Sequence, residues 1–219
     1  MKSPRGGPCV RPDDDFIVGT DVQILALDLS KARTGWAIWH SGWDMPRYGS
    51  VELGSAYTSP GRVYAKLHEE LAGLYTAVGF EAIYYEAAIL PQNLSGNTNL
   101  QALQLAAGLA AHVQSFAYVA SCRTTEVNIS TWRKDFLSSD TVSSVRAEIR
   151  ARKAAGGKGS ARDKLKKLTV DRCRQLGFSP RYDDEADALG ILDFALDFHE
   201  HVRPPWRANE VLRAPLGGA

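Results

Sequence analysis

Four acidic side chains stand where predicted strands end or a predicted helix begins. Asp28 closes an apolar run that starts at residue 23, and Glu86 closes a second run that starts at residue 82. Asp184 and Asp187 are three residues apart at the start of the last predicted helix, which places them on one helix face. A carboxylate at the mouth of a buried sheet is costly unless it is paired or bound to a cation. The pattern indicates that all four carboxylates could converge on a single point.

Converging carboxylates without Cys or His partners suit hard divalent cations, Mg²⁺ or Mn²⁺. Two such ions about 4 Å apart can clamp a phosphodiester, activate a water and stabilise the leaving oxygen. Each acid also has a structural interpretation, since Asp184 could complement the helix dipole, Glu86 could pair with an arginine and Asp28 could be a turn residue. The order of the four acids favours the catalytic interpretation, in which Asp28, Glu86, Asp184 and Asp187 are both catalytic residues and metal ligands.

The positive charge of the chain is concentrated in one segment. Residues 133–181 hold 14 Lys and Arg against 5 Asp and Glu, although the net charge of the whole chain is only +1. A basic surface beside acidic residues is what a metal-dependent enzyme acting on nucleic acid needs, although a solvated, charged helix pair would have the same composition. The candidate nucleic-acid-binding residues are Arg133, Lys134, Arg150, Arg152, Lys153, Lys158, Arg162, Lys164, Lys166 and Lys167.

Hydrophobic periodicity predicts the elements that position these residues. Ser130 is expected to be the N-cap of a short helix, and residues 138–162 are expected to form a loop or a loose helix. The element order predicts an α/β fold with a five-stranded mixed sheet, three antiparallel strands followed by parallel strands, flanked by helices. The predicted strands are 23–29, 34–39, 48–53, 82–86 and 124–129, and the predicted longer helices are 60–78, 100–118, 161–176 and 183–200.

Three motifs carry a resemblance to a known family. They are I-L-A-L-D-L-S-K-A-R-T-G-W-A-I-W at 24–39, I-Y-Y-E at 83–86 and D-D-E-A-D-A-L-G-I-L at 183–192. Over residues 22–200 the chain resembles the RuvC-type Holliday junction resolvases, the crossover junction endodeoxyribonucleases of the RNase H-like superfamily. The resemblance is greatest to the divergent versions that phages and prophages carry.

The resemblance implies an RNase H-like fold and a metal-dependent homodimer that cleaves four-way DNA junctions in recombination or repair. Cleavage would leave 5′-phosphate and 3′-hydroxyl ends. By motif, Asp28 would bridge two Mg²⁺ or Mn²⁺ ions, and Glu86 would be the acid of the fourth strand. Asp184 and Asp187 would be the paired acids of the last helix. Branched DNA is therefore the expected partner.

Two positions depart from the family pattern. Leu29-Ser30 stand where bacterial resolvases have Pro-Gly, and Ile89 stands where the family often has an aromatic wedge. These departures concern junction opening and sequence preference more than the chemistry. The alternatives are another RNase H-like nuclease, acting on flap or fork DNA or on RNA–DNA hybrid, and an inert junction-binding protein. A sugar-kinase-type phosphotransferase is disfavoured because 219 residues lack the second half-domain that its cleft requires.

The length corresponds to about one domain. We expect an RNase H-like nuclease domain over residues 21–202 with a basic loop or helix insertion near 138–162, between a flexible arm at 1–20 and an extended tail at 203–219. Three cysteines without a C-x-x-C pair argue against a disulfide framework or a thiolate zinc site. The first residues do not form a secretory signal, and the apolar stretch 103–120 is too polar to span a bilayer. A cytoplasmic protein without a membrane partner is therefore expected.

Overall fold

The computed structural model describes residues 22–87 and 100–208. Its sheet has the strand order β3-β2-β1-β4-β5. The pairs β1–β2 and β2–β3 are antiparallel, whereas β1–β4 and β4–β5 are parallel, so the predicted five-stranded mixed sheet is confirmed. The strands are β1 (Gln23–Asp28), β2 (Thr34–His40), β3 (Arg47–Val51), β4 (Ala82–Glu86) and β5 (Arg123–Val127).

Six α-helices of the described residues cover the two faces of the sheet. Helices α1 and α2 pack on one face, while α3, α5 and α6 contribute to the core on the other. After α6 the chain continues into a π-helical turn, Ala195–His199, and a short 3₁₀ turn, Pro205–Arg207. The helices are α1 (Pro60–Ala77), α2 (Leu100–Val119), α3 (Ile129–Leu137), α4 (Ser139–Ala154), α5 (Ala161–Gln175) and α6 (Asp183–Phe194).

Helix α6 is the central helix of its face. All of its residues from 185 to 194 are buried, because the sheet lies on one side of α6 while α3 and α5 pack against it elsewhere. Strand side chains alternate between the two faces, and on β1 Ile24 and Ala26 join the core that contains α6, while Leu25 and Leu27 join the core with α1 and α2. The alternation places Asp28 on the α6 face.

Two sequence predictions about the second half of the chain differ from the structure. Residues 139–154 form a regular helix, α4, rather than a loop or a loose helix, because Val142, Val145 and Ile149 bury one side of it at helical spacing. The N-cap before α3 is Asn128 rather than Ser130. The Asn128 side chain accepts a hydrogen bond from the backbone N–H of Ser130 at 2.8 Å, so the helix begins earlier than expected.

The last described segment is not simply extended. Residues 205–207 form a 3₁₀ turn, and the ring of Trp206 is buried against Trp39 and Phe178. Its indole donates to the buried Asp193 at 2.6 Å, which anchors the segment on α6. The described part of the predicted tail is therefore packed, and this part of the prediction was wrong.

No helix among residues 22–87 and 100–208 is both long and apolar enough to cross a membrane. The predicted arm at 1–20, position 89 and the predicted tail beyond residue 208 lie outside the described residues.

Candidate active site

Asp28 and Glu86 end neighbouring parallel strands at the same edge of the sheet. The register pairs Leu27 of β1 with Tyr85 of β4, so the two acids that follow them lie side by side. Alternation along β4 puts Glu86 on the same face as Tyr84, which belongs to the α6 core. Both carboxylates therefore point to the side of the sheet that α6 covers.

A glycine allows α6 to bring its acids to this edge. Gly35 of β2 lies directly opposite Asp28 in the antiparallel register. A Cβ atom at Gly35 would stand 1.9 Å from the carbonyl oxygen of Asp184. The start of α6 thus packs directly against the backbone of Gly35, next to Asp28. Any other residue type at position 35 would displace the helix.

The three acids at the start of α6 have different partners. Asp183 accepts a hydrogen bond from Lys166 Nζ at 2.5 Å. Glu185 is buried and accepts from Ser50 Oγ and from a backbone N–H, both at 2.8 Å. Asp184, between them, lines a cavity of about 430 Å³. Of these three acids, only Asp184 therefore lines the cavity. Asp187, one helical turn after Asp184, lines it as well.

The structure brings all four predicted site acids to this one cavity. Its walls also include polar and basic side chains from the loop after β1 and from α3, α4 and α5. The lining residues with hydrogen-bonding or charged side chains are Asp28, Ser30, Glu86, Ser130, Arg133, Arg146, Arg162, Lys166, Asp184 and Asp187.

Consecutive residues of α3 each donate a hydrogen bond to one of the acids. Trp132 Nε1 donates to Glu86 Oε2 at 3.2 Å, and Arg133 Nη2 donates to Asp187 Oδ2 at 2.6 Å. The exposed fractions of the Arg133 and Asp187 side chains are 7% and 3%, so this ion pair is buried. Asp187 Oδ1 is also buried and has no hydrogen-bond partner among the described residues.

The clustering of the acids changes their proton affinities. Burial, with the negative charges of Asp187, Glu86 and Asp184, raises the pKa of Asp28 well above its usual value. Burial also raises the pKa of Glu86, although Arg133 acts in the opposite direction. The pKa of Asp187 is raised by burial to about 6 despite its arginine partner. Burial is therefore the main cause of the raised pKa values, and the nearby basic side chains oppose it only in part.

The acids fit a hard divalent cation by their donor chemistry. All four offer carboxylate oxygens, the ligand type of Mg²⁺ and Mn²⁺, and Asp187 Oδ1 is an orphaned buried acceptor. Within residues 22–87 and 100–208, however, no three His, Cys, Asp or Glu side chains are close enough together to form a ready-made metal site. A cation would therefore have to draw the acids inward from the cavity wall.

The predicted nucleic-acid-binding residues divide into two groups. Arg133, Arg162 and Lys166 line the cavity, whereas the others do not. Lys166 pairs with Asp183, and Lys164 pairs with Glu148 on the neighbouring helix. The exposed residues outside the cavity are Lys134 on α3, Arg150, Arg152 and Lys153 on α4, Lys158 in the connection, and Lys167 on α5.

Two features of the site were not assigned from the sequence. Arg146 lines the cavity from α4. The sequence predicted a loop or a loose helix for this segment, so Arg146 could not be assigned to a helix face. Trp132 holds Glu86 from 46 positions away in the chain. The contact joins a strand end to a helix across the sheet edge, so no local spacing could reveal it.

Comparison with known proteins shows similarity at the level of structure. No protein-family model and no curated protein sequence matches the chain. The structure of Thermus thermophilus RuvC matches 89% of this chain and 100% of its own, with 16% identity and a TM-score of 0.51. T. thermophilus RuvC in complex with a Holliday junction substrate matches 89% of this chain and 99% of its own, with 14% identity and a TM-score of 0.50. The expected RuvC-like fold is thus confirmed.

Proposed function

We propose that the chain is a divalent-cation-dependent, structure-selective DNA endonuclease that cleaves four-way junctions. The observation that carries the proposal is the convergence of Asp28, Glu86, Asp184 and Asp187 on one cavity. Its walls also include four basic side chains, those of Arg133, Arg146, Arg162 and Lys166. The fold match supports it, because one matched RuvC structure contains a Holliday junction substrate. A cavity with both acids and bases suits a phosphodiester held beside cations.

The acids and the bases would have different tasks. Asp28, Glu86, Asp184 and Asp187 would hold the cation, which supplies the charge that activates a water and stabilises the leaving oxygen. Arg146 and Arg162 would bind phosphate oxygens, since both are exposed on the cavity wall. Lys166, through Asp183, would fix the first turn of α6 and with it the position of Asp184. The products would carry 5′-phosphate and 3′-hydroxyl ends.

The finer features of the proposal come from the resemblance. It implies two ions per site and a homodimer that presents two such cavities to the symmetric arms of a junction. The exposed bases on α4 and α5 would extend the DNA-binding surface beyond the cavity through phosphate contacts, which give affinity without sequence information.

Cleavage assays on three substrates test the proposal. The purified chain is mixed with a four-way junction, a fork and an RNA–DNA hybrid, each with Mg²⁺ or Mn²⁺. Asp28→Asn and Asp187→Asn are compared with Asp171→Asn, which removes a partly exposed acid of α5 outside the cavity. Paired nicks in the junction that only the first two variants lose are the expected result.

Other outcomes identify the alternatives. Cleavage confined to the fork or hybrid would indicate another RNase H-like nuclease with the same site. Tight junction binding without cleavage in either metal would indicate an inert junction-binding protein. Loss of junction binding by a folded Asp28→Asn variant would contradict the assignment of this acid to chemistry rather than to DNA affinity.

A further inference from the structure

The ion pair between Arg133 and Asp187 has an unusual position for a salt bridge. It lies inside the candidate catalytic cavity, and both side chains are almost completely buried. Arg133 Nη2 is 2.6 Å from Asp187 Oδ2, which leaves the other oxygen, Oδ1, without a hydrogen-bond partner among the described residues. Asp187 therefore has one oxygen occupied by a protein cation and one oxygen ready for a second cation.

Arg133 is held from two sides. Trp132 precedes it on α3, and the Arg133 guanidinium carbon lies 4.8 Å from the centre of the Trp132 ring. The indole of Trp132 is itself bonded to Glu86. Breaking a buried ion pair costs about 3–5 kcal/mol because an uncompensated charge is left behind. A divalent cation that took Oδ2 would have to meet this cost, whereas one that binds Oδ1 would not.

The charge of Arg133 reaches two of the four acids. Arg133 is bonded directly to Asp187, and Glu86 is bonded to the adjacent Trp132. An arginine does not lose its proton in a protein, so this positive charge is present at any working pH. Arg133 thus already supplies permanent compensation at the side of the cavity formed by Glu86 and Asp187.

We propose that the Arg133 guanidinium is a built-in second cation of this site, so that one divalent ion per chain completes it. The inference rests on the proposed function and changes the expected ion count from two to one. Asp28, Glu86, Asp184 and Asp187, the last through Oδ1, would hold the divalent ion, while Arg133 keeps Asp187 Oδ2. Asp187 is then a single-oxygen ligand whose orientation Arg133 fixes.

Counting bound ions tests the proposal without relying on catalysis. Mn²⁺ is titrated into the whole chain without DNA, and bound ion per chain is measured by calorimetry and by the Mn²⁺ electron paramagnetic resonance signal. Wild type is expected to bind one Mn²⁺. Arg133→Met, which removes the charge but keeps an unbranched side chain, is expected to bind two. Arg133→Lys, which keeps the charge, is expected to bind one.

Arg123→Met is the matched control. Arg123 begins β5 at the opposite end of the sheet and pairs with Glu200, so the variant loses the same charge away from the cavity. It is expected to bind one Mn²⁺ as wild type does. Circular dichroism and thermal unfolding confirm that each variant is folded.

The results separate the inference from the function on which it rests. Two Mn²⁺ per wild-type chain would overturn the built-in cation and leave the proposed nuclease intact. One Mn²⁺ in both wild type and a folded Arg133→Met variant would also overturn it, because the arginine would then not exclude a second ion. No bound Mn²⁺ in wild type would count against the metal-dependent nuclease itself. If Arg133→Met does not fold, Arg133→Gln, which also removes the charge, replaces it with the same expected count.

Discussion

The two ends of α6 each bury an aspartate beside an arginine, yet the two sites differ in how completely the carboxylate is satisfied. At the C-terminal end, Asp193 is fully buried and accepts from Trp206 Nε1 at 2.6 Å and from Arg207 Nε through both oxygens, at 3.1 and 3.0 Å. At the N-terminal end, Asp187 accepts from Arg133 through one oxygen only, and the other is orphaned.

The surroundings of Asp193 also compensate its charge more completely than those of Asp187. Arg207 also donates to the half-exposed Asp197 and Asp135, at 2.9 and 3.0 Å, so its donors are shared among acids that water also reaches. Asp187 instead faces Asp28, whose pKa is raised by burial and by the neighbouring carboxylates. Burial of an acid does not distinguish structure from function here. A buried carboxylate oxygen without a hydrogen-bond partner, close to other acids, does indicate function, because a bound ligand is needed to compensate it.

The largest expected effect is on chemistry at the N-terminal end. Asp28→Asn is expected to reduce junction cleavage on the order of 10³-fold, because it removes a charge that acts on the reacting groups. Asp193→Asn is expected to leave cleavage per folded molecule near the wild-type value. Single-turnover cleavage, normalised to the folded fraction, measures both. Equal losses in the two variants would remove the distinction between the two ends.

The next effect is on stability at the C-terminal end. Arg207→Ala is expected to lower the free energy of unfolding by about 3 kcal/mol, since it leaves Asp193 buried without its ion-pair partner. Urea unfolding monitored by fluorescence measures the change. Arg203→Ala, which removes an exposed arginine of the same segment, is the control and is expected to be nearly neutral. A neutral Arg207→Ala would mean that Trp206 alone anchors the segment.

The same Asp-to-Asn exchange is expected to change stability by different amounts at the two ends. Because burial and neighbouring acids raise the pKa of Asp28 in the folded chain, the folded state binds the proton more tightly than the unfolded state. Stability is then greatest below the unfolded pKa and falls as pH rises through the folded pKa. Asp28→Asn removes this loss and is expected to raise the melting temperature at pH 8 by about 3 °C in chelator, with little change at pH 4.

Burial also raises the pKa of Asp193, but Arg207 and Trp206 act against it, so Asp193→Asn is expected to raise the melting temperature at pH 8 by less than Asp28→Asn does. Thermal unfolding at both pH values, in the presence of a chelator, measures the pair of effects. A lower melting temperature for Asp28→Asn at pH 8 would show that this acid is structural.

The smallest expected effect is on DNA affinity, and it contrasts Arg162 at the cavity with Arg207 at the other end of α6. Arg162→Ala is expected to reduce the slope of log affinity for junction DNA against log salt by about 1, as expected for one lost phosphate contact. It is expected to leave the melting temperature unchanged, in contrast to Arg207→Ala. Fluorescence anisotropy over a salt series measures the slope, and Arg123→Ala is the control. An unchanged slope would place the DNA path away from Arg162.

The sheet and its acids could be predicted because their signals are local. Asp28 and Glu86 each interrupt an apolar strand at its end, and strand alternation assigns their faces. The spacing of Asp184 and Asp187 assigns them to one helix face. The cap at Asn128 was missed because Asn and Ser are both good N-caps and stand two positions apart, so composition alone does not choose between them.

The partners of the acids could not be predicted in the same way. Arg133 and Asp187 are 54 positions apart, and Arg207 and Asp135 are 72 positions apart. Each pair meets only after α6 has been placed against the sheet and α3 against α6. The sequence therefore contained the site acids and a basic segment. Which base neutralises which acid is a property of the packed helices.

The central position of α6 also has a consequence for the order of folding. Strands β1 and β2 precede α6 by about 150 residues, yet α6 covers them, and Trp206 closes on Trp39 of β2 with ring centres 6.4 Å apart. During synthesis one apolar face of the first hairpin must wait for the last helix to emerge. Contacts of such long sequence separation slow folding and leave apolar surface open to aggregation. The assembled acidic cavity, and any cleavage of DNA, can exist only after this final closure.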